Sequence, residues 1–278
     1  MPEAPELSPV ASSAAVVAVA QFAPTDDVAG NLATIEALVA SAATRGASMV
    51  VLPEYSTYFT PTQGPDWIDH AEPLDGPIVG ALAAIAGRHG VVLVAGVLET
   101  ASRPDRIRNT VVALHPTDGL VASYRKLHLY DAFGQLESDW VEPGVIEAPE
   151  LFQWGGFTVG LQTCYDIRFP EVSRRIVDAG ADLLLVPAEW VRGPLKEHHW
   201  RTLLTARALE NTVYVAAADH TPPVGVGTSL IIDPMGVAVA ALGEAEGVAV
   251  AALDPARVTS VRHVNPALRL RRCGTTPR

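Results

Sequence analysis

Three chemically reactive side chains each follow a short apolar segment of the sequence. Glu54 comes after Val-Val-Leu-Pro, Lys126 comes after a segment that ends in Ser-Tyr-Arg, and Cys164 comes three residues after Val-Gly-Leu. A cysteine thiol that loses its proton is a nucleophile, and a carboxylate can accept that proton and later activate water. An ammonium group lowers the pKa of a nearby thiol and stabilises an oxyanion. Together, the three residue types indicate covalent catalysis by a cysteine.

The apolar segments before these residues are typical of buried strands in an α/β protein. Strands are predicted at residues 16–22, 49–52, 91–97, 111–114, 120–124, 157–161, 183–186, 213–218, 230–233, 237–241 and 248–253, and helices at 31–45, 76–89, 171–179 and 200–211. Strands that alternate with helices and end in hairpins predict a layered α/β sandwich. If the relevant strands are neighbours, their carboxyl ends bring Glu54, Lys126 and Cys164 into one small volume.

The segment between residues 55 and 73 differs from its surroundings. It combines Pro, Gly and aromatic residues with no clear period, at a length where an ordered loop is usually functional, so we expect it to cover a pocket. From residue 268 onward, four arginines predict a solvated basic tail. The sequence contains no obvious linker, and we therefore predict one domain over residues 15–265, with tails at 1–14 and 266–278.

The overall composition limits the classes of function. The 278 residues are 49% hydrophobic and 18% charged, which favours a globular protein with a sizeable core, and the net charge of -11 argues against a nucleic-acid-binding surface. Two widely separated cysteines do not form a disulfide scaffold or a structural zinc site. The N-terminal segment lacks the basic start of a signal peptide, and no apolar run reaches the roughly 18 residues of a membrane span. We expect a cytoplasmic protein without a membrane partner.

Three segments resemble the signature blocks of the nitrilase superfamily of carbon-nitrogen hydrolases. They are Val-Leu-Pro-Glu-Tyr-Ser around Glu54, Tyr-Arg-Lys-Leu-His-Leu-Tyr-Asp around Lys126 and Cys-Tyr-Asp-Ile-Arg-Phe-Pro-Glu from Cys164, and they occur in the order typical of the family. Supporting similarities include Gly96 and Asn109, and the resemblance covers roughly residues 15 to 255. The cysteine block is similar to the amidase branch that includes ω-amidase and deaminated-glutathione amidase.

The resemblance implies a four-layer αββα sandwich and a Glu-Lys-Cys triad. Glu54 would be the general base, Cys164 the nucleophile and Lys126 the oxyanion partner. Glu137 matches a second glutamate that orients the substrate or the lysine, although Glu142 is a nearby competitor for that position. The family needs no organic cofactor or metal, and the histidines of this sequence form no clear ligand set. Family members usually form homodimers or larger homo-oligomers, which we also expect here.

Four further residues are candidates for binding a substrate. The backbone N–H of Tyr165, next to the nucleophile, is a second oxyanion donor by analogy with other nucleophile turns. Arg168 either anchors a substrate carboxylate or belongs to a structural network with Asp166 or Glu171. The remaining two candidates line the pocket or pack in the core, and they are Tyr55 and Trp190.

These residues lead to one main functional hypothesis and two alternatives. The main one is a thiol amidohydrolase that cleaves a small linear amide, with a carboxylate on the substrate, through a Cys164 thioester and releases ammonia. The same triad would also serve an N-carbamoyl amino acid or β-ureidopropionate hydrolase. An alternative of another class is a catalytically idle scaffold that binds a partner protein.

Overall fold

The computed structural model describes residues 15–276, so the predicted tail at 1–14 lies outside the described residues. The strands, in chain order, are β1 (Ala15–Gln21), β2 (Met49–Val51), β3 (Val92–Thr100), β4 (Ile107–His115), β5 (Gly119–Arg125), β6 (Leu151–Trp154), β7 (Phe157–Leu161), β8 (Leu183–Pro187), β9 (Tyr214–Ala218), β10 (Leu230–Ile232), β11 (Ala238–Ala241) and β12 (Gly247–Leu253). The helices are α1 (Val28–Thr44), α2 (Pro65–Asp69), α3 (Pro77–His89), α4 (Pro170–Asp178), α5 (Lys196–Asn211), α6 (Pro255–Val264) and α7 (Ala267–Leu270).

The strands of the described chain form two six-stranded sheets. The first has the order β12-β1-β2-β3-β4-β5, and the second has the order β11-β10-β9-β8-β7-β6. In each sheet the central strands are parallel, namely β1, β2 and β3 in the first and β7, β8 and β9 in the second, and antiparallel strands flank them. The carboxyl ends of the parallel strands therefore lie at one edge of each sheet.

Alternate side chains of the strands pack into different layers, because successive residues of a strand point to opposite faces. Val17 belongs to the apolar core between the sheets, whereas its neighbour Ala18 packs in the layer that contains α1 and α3. In the second sheet, Leu185 faces the same central core and Leu184 packs in the layer that contains α4 and α5. The predicted four-layer αββα sandwich is confirmed.

The structure also contains elements that the sequence analysis did not predict. They are β6, the short α2 inside residues 55–73, and the C-terminal helices α6 and α7. The three strands predicted in the last third are present and pair antiparallel, but β12 pairs with β1 in the first sheet while β10 and β11 belong to the second. In the predicted basic tail, Arg271 pairs with Asp178. No helix of the described residues has the length and apolar character needed to cross a membrane.

Candidate active site

The three candidate catalytic residues lie where strands of both sheets end. Lys126 directly follows β5, Glu54 lies three residues after β2, and Cys164 lies three residues after β7. The backbone N–H of Glu54 donates to the carbonyl of Ala188, which follows β8 in the other sheet, at 3.3 Å. The two sheets are thus hydrogen-bonded at the carboxyl ends of their strands, and the predicted convergence of these residues agrees with the structure.

Glu54, Lys126 and Glu137 form a buried cluster of charges. Lys126 Nζ lies 2.9 Å from Glu54 Oε1 and 2.9 Å from Glu137 Oε2. Asn109 Nδ2 donates to one oxygen of each carboxylate, at 2.6 Å to Glu54 and 3.1 Å to Glu137. Tyr55 Oη donates to Glu137 Oε1 at 2.7 Å. All of these side chains are at most 4% exposed, so the cluster is shielded from water.

The competitor Glu142 lies outside this cluster. Its carboxylate pairs with Arg108 at 2.7 Å and accepts a hydrogen bond from Ser102 at 2.6 Å. Glu137 starts a short 3-10 turn and accepts a further hydrogen bond from the backbone N–H of Tyr130, at 2.5 Å. Glu137 is therefore the glutamate that the fold holds beside Lys126.

The environment moves the pKa values within the cluster in different directions. Burial raises the pKa of Glu54 above its ordinary value, and the Glu137 charge adds to this although Lys126 opposes it. Burial also disfavours the charged form of Glu137, but Lys126 and the hydrogen bonds that it accepts hold its pKa below the ordinary value. For Lys126, burial is outweighed by the charges of Glu137 and Glu54, which raise its pKa well above the ordinary value. Lys126 is thus a permanent cation, and Glu54 is the carboxylate more easily protonated.

Cys164 lies at a strained turn between β7 and α4. Its φ angle is 43°, in the left-handed region that residues other than glycine rarely occupy, and it begins a 3-10 turn over Cys164–Arg168. Asp166 accepts a hydrogen bond from the backbone N–H of Thr163, which closes the turn. The next residue, Tyr165, lies in the first turn, where backbone N–H groups have no acceptor within the helix. This geometry is typical of a nucleophile presented at a sharp turn.

The Cys164 thiol is buried, and its surroundings favour the protonated form. Burial raises its pKa well above 9.0, the negative charge of Glu54 adds to this rise, and Lys126 only partly opposes it. The sequence analysis expected Lys126 to lower the thiol pKa, which it does, but the net direction is upward. The thiol donates a weak hydrogen bond to the carbonyl of Glu189 at 3.4 Å. A base must therefore take the thiol proton when the nucleophile attacks.

Glu189 is a residue of this site that the sequence analysis missed. It lies two residues after β8, its backbone N–H donates to Glu54 Oε2 at 2.6 Å, and its carbonyl accepts from Cys164. Burial raises the pKa of its carboxyl well above the ordinary value, and the charge of Glu54 adds to the effect. The sequence contains a pattern that predicts Glu189, because Pro187-Ala188-Glu189 follows an apolar strand in the same way as Leu52-Pro53-Glu54.

A cleft enclosing about 710 Å³, including its open mouth, leads to Cys164. All of the predicted site residues except Glu54 line it. Glu54 is hydrogen-bonded to two residues that do, Lys126 and the backbone of Glu189. The segment at 55–73 contributes several lining residues, as expected for a loop that covers a pocket, and they are Tyr55, Phe59, Thr60, Pro61, Gln63 and Trp67. The cleft is therefore walled by aromatic side chains and contains three cations, which are Lys126, Arg168 and Lys196.

The structure argues against one of the two interpretations of Arg168, the structural network with Asp166 or Glu171. Among the described residues, Arg168 forms no ion pair with Asp166 or Glu171; instead, its guanidinium carbon lies 4.8 Å from the centre of the Trp190 ring. Asp166 is occupied by Tyr124 Oη at 2.8 Å and by His128 Nδ1 at 2.8 Å. Arg168 is thus free of a protein carboxylate within the described chain, and it lines the cleft.

Lys196 is a second cation that the sequence analysis did not single out. It is the first residue of α5, is only 6% exposed, and donates from Nζ to Tyr130 Oη at 2.7 Å. Burial and the charge of Arg168 lower its pKa. From the sequence, the run Lys-Glu-His-His at the start of a helix is more typical of a solvated surface than of a pocket.

Known proteins resemble this chain over most of its length. A family model described as carbon-nitrogen hydrolase matches residues 16–263. A deaminated glutathione amidase of Escherichia coli O157:H7 is 42% identical over 218 residues, which cover 78% of this chain and 82% of that protein.

Two solved structures share the fold. The C. elegans NitFhit protein matches with a TM-score of 0.83 at 30% identity over 92% of this chain, which spans 65% of the length of that protein. A mutant of the Nesterenkonia sp. AN1 amidase matches with a TM-score of 0.77 at 27% identity, over 95% of this chain and 100% of that one. In that structure the acetamide moiety of fluoroacetamide is covalently added at the active-site cysteine.

Proposed function

The chain belongs to the carbon-nitrogen hydrolase family and is an enzyme that acts on C–N bonds, and we propose that it is a thiol amidohydrolase with Cys164 as its nucleophile. The substrate is a small linear amide that carries a carboxylate. The observation that carries this proposal is the buried cluster of Glu54, Lys126 and Glu137, which adjoins the strained cysteine turn at the end of an aromatic cleft.

In the first step, Cys164 Sγ forms a bond to the amide carbonyl carbon while its proton passes to Glu54. The raised pKa of Glu54 suits it to this role, because a base is most effective when its pKa approaches the working pH. The carbonyl oxygen becomes an oxyanion, which accepts hydrogen bonds from Lys126 Nζ and the Tyr165 backbone N–H. Lys126 retains its charge throughout, since its pKa is raised well above the ordinary value.

In the second step, the carbonyl re-forms and the C–N bond breaks. The proton held by Glu54 moves to the nitrogen, so ammonia or an amine leaves and an acyl thioester remains on Cys164. Glu54, again a carboxylate, takes a proton from water, which attacks the thioester carbon. The second tetrahedral intermediate releases the carboxylic acid, and the thiol recovers its proton. The reaction consumes one water and needs no oxidant or reductant.

Two similarities support this mechanism. The acetamide group attached to the cysteine of the Nesterenkonia sp. AN1 amidase mutant supports a nucleophilic cysteine in the present chain. The relative from E. coli is named for an amide substrate, deaminated glutathione, which supports hydrolysis of an amide rather than of a nitrile. Arg168 supports the carboxylate, because a guanidinium that has no protein carboxylate can bind one from the substrate.

The proposal is tested by ammonia and amine release from a panel of amides, with the Cys164→Ala protein as the blank. The panel contains α-ketoglutaramate, succinamate, glutamine, deaminated glutathione and N-carbamoyl-β-alanine. Release by the intact protein alone would support the thiol amidase. Release of carbon dioxide beside ammonia would instead favour the carbamoyl hydrolase, and a folded protein that releases nothing from any member would contradict the proposal.

A further inference from the structure

Arg168 and Lys196 lie side by side in the cleft without a counterion. Lys196 Nζ is 4.0 Å and the Arg168 guanidinium carbon 5.8 Å from the centre of the Phe133 ring, and the two groups lie 5.8 Å and 4.8 Å from the centre of the Trp190 ring. Within residues 15–276, no carboxylate forms an ion pair with either group. Two cations thus share the same pair of aromatic rings, at the same end of the cleft.

This arrangement of two cations costs free energy. Like charges repel, and the repulsion is stronger where burial excludes water. Lys196 is only 6% exposed, and both burial and the charge of Arg168 lower its pKa. Arg168 Nε is also buried and has no hydrogen-bond partner in the described part of the chain. A buried donor without an acceptor and two adjacent cations are both relieved by a bound anion.

The backbone holds Lys196 in this position. Leu195, the residue before it, has a φ angle of 60°, in the left-handed region that is unfavourable for a leucine. The Lys196 carbonyl accepts a hydrogen bond from Trp190 Nε1 at 2.9 Å, and the Tyr130 hydroxyl accepts from its ammonium at 2.7 Å. The chain therefore adopts a strained conformation that points a lysine into the pocket rather than into solvent.

The carboxyl of Glu189 does not neutralise this pair. Glu189 lines the same cleft and its charge favours the charged form of Lys196, but among the described residues it forms no ion pair with Lys196 or Arg168, and burial raises the pKa of its carboxyl well above the ordinary value. Lys196 Nζ donates to the Tyr130 hydroxyl, whose pKa is raised by burial to about 12, and burial raises the pKa of the nearby Cys164 thiol well above its ordinary value. The positive charge at this end of the cleft therefore remains available to a ligand.

We propose that Lys196 is a specificity residue, which together with Arg168 binds a single carboxylate of the substrate between the two cations. This inference rests on the proposed function for the position of the amide at Cys164. It narrows the substrate to amides that carry a carboxylate able to reach the part of the cleft lined by Arg168, Trp190 and Lys196. Neutral amides of the same shape bind more weakly, because they leave both cations without an anion.

Binding without turnover tests the proposal. The Cys164→Ala protein is titrated by calorimetry with succinamate and glutaramate, and with their neutral counterparts butyramide and valeramide. Succinamate is compared with butyramide, and glutaramate with valeramide. In the pair whose chain length fits the cleft better, we expect the anionic amide to bind more tightly than the neutral one. Adding Lys196→Met, or Arg168→Met, should weaken that binding by about 10-fold or more, the value of one lost charged hydrogen bond. Affinity for the neutral amide should fall by a much smaller factor.

Two variants serve as controls for charge and for the surface. Lys196→Arg keeps the cation and should retain most of the affinity. Arg192→Met removes an exposed cation that pairs with Glu244 at 2.6 Å outside the cleft, and it should bind as the parent does. Equal binding of anionic and neutral amides, no measurable binding of either, or a loss confined to Arg168→Met would overturn the proposal.

The two proposals can fail separately. If the intact protein releases ammonia from succinamate but Lys196→Met leaves the affinity unchanged, the role of Lys196 is wrong and the amidase proposal stands. If the anionic amide binds through both cations but the intact protein hydrolyses no amide, the binding site stands and the amidase proposal is wrong. Thermal unfolding of each variant shows whether it is folded.

Discussion

The backbone N–H of Glu189 donates to Glu54 Oε2 at 2.6 Å, and this bond joins the proposed general base, which follows a strand of one sheet, to the end of a strand in the other. The carbonyl of the same residue accepts from the Cys164 thiol at 3.4 Å. Glu189 therefore contacts both the proposed base and the proposed nucleophile through its backbone. Because these contacts come from the backbone of Glu189, they orient Glu54 and Cys164 whatever side chain stands at 189.

Reactivity of the thiol and turnover should respond in opposite directions to Glu54→Gln. The Gln variant removes the charge that helps to raise the pKa of Cys164, so more thiolate forms at a given pH, and dithiodipyridine, a neutral reagent, should label Cys164 faster. Hydrolysis should fall by about 10⁴-fold, because no base remains. Both are measured in a Cys273→Ser background, which removes the other, exposed cysteine.

The outcome also bears on the idle-scaffold alternative. The surroundings of the thiol favour its protonated form, so slow labelling at neutral pH is expected of an active enzyme and does not indicate a scaffold. Slower labelling in Glu54→Gln than in the parent would mean that Glu54 does not hold the thiol in its protonated form.

Lys126→Met should destabilise the protein more than the loss of a surface ion pair does. It leaves Glu54 and Glu137 buried without their cation, a change that costs about 3 to 5 kcal/mol in the free energy of unfolding. The control Arg88→Met breaks an exposed pair with Glu36 and should cost far less stability, because water screens exposed charges. Urea denaturation measures both.

A double variant separates the stability effect from the catalytic one. Adding Glu137→Gln to Lys126→Met removes one of the two unpaired carboxylates, so about half or more of the lost stability should return. Amide hydrolysis should remain absent, since the oxyanion partner is missing. Recovery of activity with stability would contradict a direct role of Lys126 at the reacting carbonyl.

Local sequence patterns predicted a layered α/β sandwich and the strand-end positions of the main candidate residues, and the family resemblance supplied the four-layer arrangement. The family and the αββα sandwich are confirmed. Both were predictable because each of the signature blocks that contain Glu54, Lys126 and Cys164 is a continuous segment of the sequence. The pairing of β12 with β1 depends on contacts between residues more than 200 positions apart, and no local pattern predicts it. Two of the four missed elements, α2 and α7, have only five and four residues, and β6 is a four-residue strand that pairs locally with β7.

Two residues of the site were missed for different reasons. Glu189 follows an apolar strand as Glu54 does, so the pattern that identified Glu54 also predicts Glu189. Lys196 carries none, since its direction depends on the left-handed conformation of Leu195 and on aromatic rings from distant segments. The direction of the pKa shift of the Cys164 thiol also depends on how deeply the thiol is buried, and burial cannot be read from the sequence.

Gly96→Ala should disturb the general base although it adds only one methyl group. A Cβ at Gly96 would lie 2.5 Å from the backbone nitrogen of Tyr55 and 2.6 Å from Glu54 Cα, and backbone atoms cannot rotate away. We expect a loss of about 1 to 3 kcal/mol in stability, and a loss of about 100-fold in kcat/KM because Glu54 shifts.

The matched control is Gly80→Ala on an exposed turn of α3. A Cβ there meets no atom within 4 Å, and alanine favours a helix over glycine, so stability should rise by about 0.5 to 1 kcal/mol with activity retained. Thermal unfolding and the amide assay are run on both variants. An active, stable Gly96→Ala protein would mean that the loop at Glu54 and Tyr55 adjusts freely.

The stability of the protein should depend on pH through His220, which is buried beside the backbone of Glu54. Its Nε2 lies 2.6 Å from the carbonyl oxygen of Glu54, its ring packs edge-on against Phe59, and burial lowers its pKa from 6.5 to about 4. As the pH falls from 6.5 towards 4, the unfolded chain takes up a proton at this histidine and the folded chain does not. The contribution of His220 to stability is therefore present above pH 6.5 and is lost on acidification.

The His220→Gln variant tests this pH dependence, because glutamine has no proton to gain in that range. Between pH 7.5 and 4.5, the unfolding free energy of the parent should fall by about 2 to 3 kcal/mol more than that of the variant. The exposed His263→Gln is the control and should follow the parent. Urea denaturation at the two pH values gives the difference, and parallel losses in parent and His220→Gln would show that the folded protein accommodates a protonated His220 beside its general base.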